Sequence, residues 1–236
     1  MQLALAQFES KPGDVTDNLR RHAMWIADAA DVDLLIFPEL SLTGYTPPLA
    51  KALAPQFPAA ALEVFEPVCA KHQRVVAAGL PTVVSGGICI STLFVFPDRT
   101  HAIYSKQFVH ESETPFFVPS LGTPTIDVCG VSIGYAICYE MSVDQHVACA
   151  GDAGAMLYVD SAAKPAVDLD VAHQRMETIA QRLGIPAMLC NGLGEGALGG
   201  GRSGVWDAGG TLLATLDNDR EGLLIFDTDR GTAHVR

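Results

Sequence analysis

Short apolar runs rich in β-branched residues, each bounded by turn residues, recur along the chain: QLALAQF, DLLIFPE, RVVAAGL, ICISTLFVFP, HAIYSKQ, TIDVCG, VSIGYAIC, GAMLYVD, IPAMLCN, SGVWDA, TLLATL and GLLIFD. Their lengths and flanks predict about twelve strands. Between them lie four amphipathic stretches, at 15–30, 49–72, 142–150 and 167–183. The first places Leu19, Ala23, Ile26 and Ala30 at helical spacing behind Asp14, a side chain suited to cap a helix. The last carries Val171, Arg175, Ile179 and Arg182 and is stopped by Gly184 and Pro186. Coarse alternation of helix and strand makes the class α/β. Tight turns at Gly130 and at Gly209 and Gly210 require antiparallel neighbours, so the sheets are expected to be mixed. Two sheets face to face with two helices on each outer side, an α-β-β-α sandwich, would bury the strands and leave each helix one wet face.

Composition narrows the class further. At 236 residues the chain exceeds the usual domain of about 150, yet no repeat, low-complexity stretch or linker divides it, so residues 1–236 read as one domain. Hydrophobic residues make up 49% and charged residues only 18%, which excludes disorder. With 15 basic against 27 acidic residues, a net charge of −12 and no basic cluster longer than Arg20–Arg21, no nucleic acid partner is expected. The opening MQLALAQFES lacks the basic and long apolar regions of a signal peptide, and no window approaches about 18 apolar residues. No membrane association is expected. The 6 cysteines form no C-x-x-C pair, which suits reduced thiols and a cytoplasmic location. Most sit in apolar runs, where a thiol behaves as a small hydrophobe.

Three strand ends carry reactive groups: Glu39 after DLLIFP, Lys106 in YSKQFVHESETPFFVP, and Cys138 closing VSIGYAIC. Taken singly, Glu39 reads as a carboxylate turning into solvent and Lys106 as a surface lysine. A buried Glu39 would need a cationic partner. Cys138 stands apart from the other cysteines because it precedes a predicted helix, whose unpaired N–H groups would favour its thiolate. Other features lead elsewhere. GEGALG at 194–199 fits part of a dinucleotide fingerprint but leads to the strand-like SGVWDA rather than to a helix, so a loop near a pocket mouth is expected. The 7 histidines lack metal-ligand spacing and read as solvated, His110 alone lying near a candidate motif. LDNDRE reads as an exposed turn.

In order and context, FPELSLTGY, YSKQFVHESETPFFVP and GYAICYE resemble the three signatures of the nitrilase superfamily of carbon–nitrogen hydrolases, in its amidase-like range. The tail GGGRSGVWDAGGTLLATLDNDREGLLIFD is similar to that family's closing strands, so the resemblance spans nearly the whole chain. It implies an α-β-β-α fold, no metal or cofactor, and homodimers or larger assemblies paired through helices. It places the family's glutamate, lysine and cysteine on Glu39, Lys106 and Cys138. The second glutamate falls on Glu113, with Glu111 as the alternative. The implied chemistry is attack by Cys138 on a small linear amide, proton shuttling by Glu39, and an oxyanion held by Lys106 and the backbone N–H of Tyr139. Tyr45, Phe117, Tyr139, Ser161 and Ala162 are the implied pocket walls. Many members carry an arginine shortly after the cysteine that grips a substrate carboxylate. Here the run is Cys-Tyr-Glu-Met-Ser, with no arginine before Arg175, which argues against carbamoyl amino acids and dicarboxylic monoamides. Nitrile hydrolysis, acyl transfer and a non-catalytic binding role remain the alternatives.

Overall fold

A computed structural model of the chain describes residues 1–194 and 198–236. Among them the strands are β1 (Gln2–Gln7), β2 (Leu34–Ile36), β3 (Val75–Val84), β4 (Gly87–Val95), β5 (His101–Ser105), β6 (Thr125–Val128), β7 (Val131–Ile137), β8 (Leu157–Ala162), β9 (Ala187–Asn191), β10 (Gly204–Trp206), β11 (Leu212–Thr215), β12 (Gly222–Asp227) and β13 (Thr232–Val235). The α-helices are α1 (Val15–Asp28), α2 (Ala50–Leu53), α3 (Ala59–His72), α4 (Asp144–Asp152) and α5 (Leu169–Leu183). One sheet runs β13-β12-β1-β2-β3-β4-β5 and the other β11-β10-β9-β8-β7-β6. Both are mixed: β1-β2-β3 and β7-β8-β9 pair in parallel, and the hairpins at Gly130 and at Gly209–Gly210 pair antiparallel as expected.

Period-two alternation separates the layers. Leu3 and Leu5 of β1 face the second sheet, meeting Ile133, Tyr135 and Met188, whereas Ala4 and Ala6 face α1 and α3. On the far side, Ala136, Tyr158 and Ala162 pack beneath Met176 and Ile179 of α5. The strands are apolar on both faces because each sheet is covered on both, by the other sheet and by helices. This is the expected α-β-β-α sandwich.

Several boundaries differ from the sequence pattern. The stretch 49–72 is not one helix: 3₁₀ turns at Pro47–Leu49 and Ala54–Gln56 surround the short α2, and α3 begins only after Pro58. Proline lacks the N–H and clashes with the preceding turn, so Pro55 and Pro58 divide an otherwise helical pattern. β13 escaped the pattern because TAHV is a largely exposed edge strand with little apolar signal. Two histidines are not solvated. His22 is fully buried between Phe8 and Phe37, with ring nitrogens on the Asn18 carbonyl at 2.7 Å and Ser41 Oγ at 3.0 Å, and burial lowers its pKa to about 3. His146 is buried beside Tyr104 and Tyr158, and its pKa falls to about 4 for the same reason. Among the described residues, no cluster of His, Cys, Asp or Glu is arranged to hold a metal, and no helix is long and apolar enough to cross a membrane.

Candidate active site

β2 ends at Ile36, three residues earlier than the position of Glu39 suggested, and the following turn lies across the backbone of β3. Phe37 N–H donates to the Ala77 carbonyl at 2.8 Å, Leu42 N–H to the Gly79 carbonyl at 2.9 Å, and Gly79 N–H to Ser41 Oγ at 3.2 Å. The contact is so close that a Cβ at Gly79 would stand 2.3 Å from Leu40 N and 2.5 Å from the Pro38 carbonyl oxygen, so only glycine fits there. Leu40 takes a left-handed φ of +51°, which turns the chain just after Glu39. Glu39 therefore points into the protein rather than into solvent, with its side chain fully buried.

Lys106 follows β5 and is itself fully buried. Its backbone bridges two segments, the N–H donating to the Ile90 carbonyl at 2.8 Å and the carbonyl accepting from Ser120 N–H at 2.9 Å. Its Nζ lies 2.8 Å from Glu39 Oε1 and 2.9 Å from Glu113 Oε1. Glu113 closes a 3₁₀ turn (Glu111–Glu113) in which its Oε2 accepts from His110 N–H at 2.9 Å, and Tyr45 Oη donates to its Oε1 at 2.8 Å. Glu111 is exposed on the same turn, so Glu113 is the glutamate that meets Lys106. The isolated surface lysine of the sequence pattern is the centre of a buried carboxylate–ammonium–carboxylate set.

Cys138 follows β7 with a φ of +54°, a conformation costing an L-residue about 1–3 kcal/mol, which the surroundings must hold in place. It opens a 3₁₀ turn (Cys138–Ser142), and α4 starts only at Asp144. The expected thiolate is not what this environment favours. Burial and the Glu39 carboxylate push the Cys138 thiol up to about 12, against the opposing charges of Lys164 and Lys106. The reason is local: a short 3₁₀ turn lacks the dipole of a long helix, and a carboxylate stands beside the sulfur. Burial also raises the Glu39 carboxyl, opposed by the charge of Lys106 and reinforced by that of Glu113. For Lys106, burial favours the neutral amine, but the charges of Glu39 and Glu113 prevail and its pKa is raised. Nor do all other cysteines sit in the core, since Cys129 and Cys149 are exposed.

Glu140 was missed at the sequence level. It is fully buried, with Oε2 accepting from Ile137 N–H at 2.8 Å and Tyr104 Oη at 2.7 Å, and Oε1 accepting from Gln107 N–H at 2.5 Å and Phe108 N–H at 3.2 Å. One carboxylate thus ties the turn carrying Cys138 to the segment just after Lys106. Behind it, Tyr104 spends its proton on Glu140, so the neutral His146 presents Nε2–H to Tyr104 Oη at 2.9 Å. An amide in place of the carboxylate would set an N–H₂ against some of these donors. Glu140→Gln is accordingly expected to lower kcat about a hundredfold by misplacing Cys138 against Lys106, with the fold retained by circular dichroism. Unchanged kcat would show that the tether does not position the pair.

A cavity of about 590 Å³ opens above the set, lined among others by Tyr45, Glu113, Cys138, Tyr139, Lys164 and Arg175. Tyr139 also meets His110 edge to face at 5.0 Å. Three implied wall residues are elsewhere. Phe117 is buried in the core between the sheets, Ser161 donates its hydroxyl to the Phe37 carbonyl at 2.9 Å, and Ala162 packs beneath α5. β8 is covered on both faces, so these consecutive side chains are buried on opposite sides of it, and the wall is formed by the residues that follow the strand, Ala163 and Lys164. Of the GEGALG loop, residues 195–197 lie outside the described residues.

Comparison with known proteins agrees with this fold. The carbon–nitrogen hydrolase family matches residues 2–235. An (R)-stereoselective amidase from a Pseudomonas species is 26% identical over 233 residues, covering 98% of this chain and 81% of that protein. The glutamine-dependent NAD(+) synthetase of Xanthomonas campestris pv. campestris is 30% identical over 175 residues, covering 70% of this chain but only 32% of the synthetase. Among solved structures, the amidase of Nesterenkonia sp. AN1 superposes with a TM-score of 0.87 at 25% identity, covering 96% of this chain and 92% of that one. Fold, buried set and family match converge: the chain belongs to the carbon–nitrogen hydrolase family.

Proposed function

We propose that this protein, read as one hydrolase domain, cleaves the C–N bond of a small linear amide through a thioester on Cys138. The observation that carries the reading is the ammonium of Lys106 held at 2.8 Å and 2.9 Å between Glu39 and Glu113, at the foot of the cavity that Cys138 lines. Such a buried set is costly to fold unless every member is paired. In support, a glutamate-to-leucine mutant of the Nesterenkonia amidase shows covalent addition of the acetamide moiety of fluoroacetamide at its active-site cysteine.

The chemistry follows from protonation states. Because the Cys138 thiol is held neutral at physiological pH, its proton must leave as sulfur attacks the carbonyl carbon. Glu39 is placed to take it: Oε1 is engaged by Lys106, whereas Oε2 has no protein partner among the described residues. An ammonium has three N–H donors, and Lys106 spends two on carboxylates. The third remains for the oxyanion of the tetrahedral intermediate, with Tyr139 N–H, in the opening turn of the 3₁₀ segment, as the second donor. Glu39 then returns the proton to the departing nitrogen, the C–N bond breaks, and ammonia leaves an acyl thioester. Water adds with Glu39 again accepting a proton, which passes to the thiolate as the acid departs. Glu113 orients Lys106, and Tyr45 orients Glu113.

A panel of amides, nitriles and carbamoyl compounds, followed by ammonia release, tests the reading. Ammonia and the matching acid from linear amides are expected, with nitriles slower. No turnover of any amide and no acyl adduct would move the protein to the binding class. The family pattern also carries a homodimer paired through the outer helices, and a monomer by light scattering at micromolar concentration would remove that part of the proposal.

A further inference from the structure

Lys164 has no role in the chemistry above, yet it stands in the same cavity as Cys138. Its backbone is pinned on both sides: its N–H donates to Asn191 Oδ1 at 2.7 Å, and its carbonyl accepts from Gly200 N–H at 2.7 Å and Asn191 Nδ2 at 3.0 Å. Asn191 is fully buried at the end of β9, so this is a built feature and not a free loop. The side chain, in contrast, makes no ion pair and no hydrogen bond among the described residues, whereas every other cation at the site is committed. Lys106 is held by Glu39 and Glu113, and Arg175 by the Met141 carbonyl at 2.7 Å and Asp144 at 2.7 Å.

We propose that Lys164 anchors a carboxylate on the acyl chain of the substrate, so that the amide cleaved at Cys138 carries an acidic group. This rests on the amide-hydrolysis reading and names its substrate class. A mostly buried cation without a counter-ion among the described residues is costly, and an anionic ligand supplies a partner. Burial alone would favour the neutral amine, but the acidic surroundings raise the Lys164 pKa. Asp160 forms no ion pair with it among the described residues. Burial raises that carboxyl well above its usual range, and both of its oxygens lack hydrogen-bond partners. The other acidic residue lining the cavity besides Glu113 is Asp168, which is exposed at the rim, where water screens its charge. Glu39 follows β2 of the first sheet, and Lys164 follows β8 of the second, the strand paired with the β7 that leads to Cys138. In the proposed complex the amine departs toward Glu39 and the acyl substituent extends toward Lys164.

The absence of an arginine after Cys138 had argued against carboxylate-bearing amides. The fold supplies the positive charge from elsewhere, from Lys164 in the segment after β8, which lines the same cavity as Cys138. A cavity of about 590 Å³ also leaves ample room beyond the reacting amide group for a charged chain end.

The test compares kcat/KM for the monoamide of a five-carbon dicarboxylic acid with that for pentanamide, its neutral counterpart, in the wild-type chain, Lys164→Met and Lys164→Arg. The wild type is expected to favour the acid, and the acid-to-neutral ratio to fall about thirtyfold in Lys164→Met, chiefly through KM for the acid. Lys164→Arg should restore most of the ratio. Glutarate should inhibit the wild type competitively, less so at high salt. A wild-type preference for pentanamide would overturn the anchor while leaving amide hydrolysis standing. So would an equal loss on both substrates in Lys164→Met with a displaced pH profile, which would mean that the lysine acts on the Cys138 thiol instead. Absence of turnover and of any Cys138 adduct with either amide would take down the hydrolysis reading itself.

Discussion

Cys138→Ala is expected to abolish amide turnover, by about 10⁴-fold or more, and to remove every acyl mass shift seen in the wild type. A positioned sulfur nucleophile makes the attack effectively unimolecular, and water at the same place cannot reproduce it. Glu39→Gln is expected to behave differently. With the thiol pushed up to about 12, almost no thiolate preexists at neutral pH, so the variant needs a base that it no longer has. Both thioester formation and thioester hydrolysis should slow, by about 10²- to 10⁴-fold each. The cysteine nevertheless remains, so an intrinsically reactive ester should still leave a slowly formed and slowly cleared adduct. Intact-mass spectrometry over time separates the cases. Wild-type rates in Cys138→Ala would sink the mechanism, and wild-type adduct kinetics in Glu39→Gln would remove Glu39 as the shuttle.

Lys106→Met carries the second largest effect, on stability as well as on rate. Removing the ammonium leaves Glu39 and Glu113 buried together without a counter-charge, a loss of about 3–5 kcal/mol at neutral pH. The sign with pH follows from linkage. In the folded variant the Glu39 carboxyl titrates above its unfolded value of about 4.3, because burial, which already raises it in the wild type, is no longer opposed by Lys106. Below that pH both states are protonated and the penalty is absent. As pH rises, the unfolded chain releases this proton while the folded chain retains it, so stability falls. Urea unfolding at pH 4 and pH 7 should therefore show the variant close to wild type in acid and far below it at neutrality. A deficit independent of pH would mean that the lysine contributes packing and not charge. Turnover should also drop about 10²- to 10³-fold, the usual loss for one oxyanion donor.

Much of this was legible before any coordinates. The apolar runs and the glycine turns at 130 and 209–210 implied two mixed sheets, since period-two patterning and hairpin signals are local properties of the chain. Three reactive residue types at three strand ends, in motif context, singled out Glu39, Lys106 and Cys138. Pocket walls were another matter. Phe117, Ser161 and Ala162 were placed by motif position alone, and the direction in which each side chain points depends on strand phase and on what covers it.

The sequence by itself determined most of the elements and the layer order, because these depend on residue type and on spacing within a few residues, and its motif resemblance singled out the candidate reacting groups. Only the tertiary structure decided their states. It converted an isolated lysine into a doubly paired ammonium 67 residues from one partner and 7 from the other. It also turned an expected thiolate into a thiol, through burial and the nearness of Glu39. Glu140 and Lys164 owe their places to contacts made 33 and 27 residues away along the chain. Charge state depends on desolvation and on neighbours within a few ångströms, and such neighbours are supplied by the folding of distant segments onto one another.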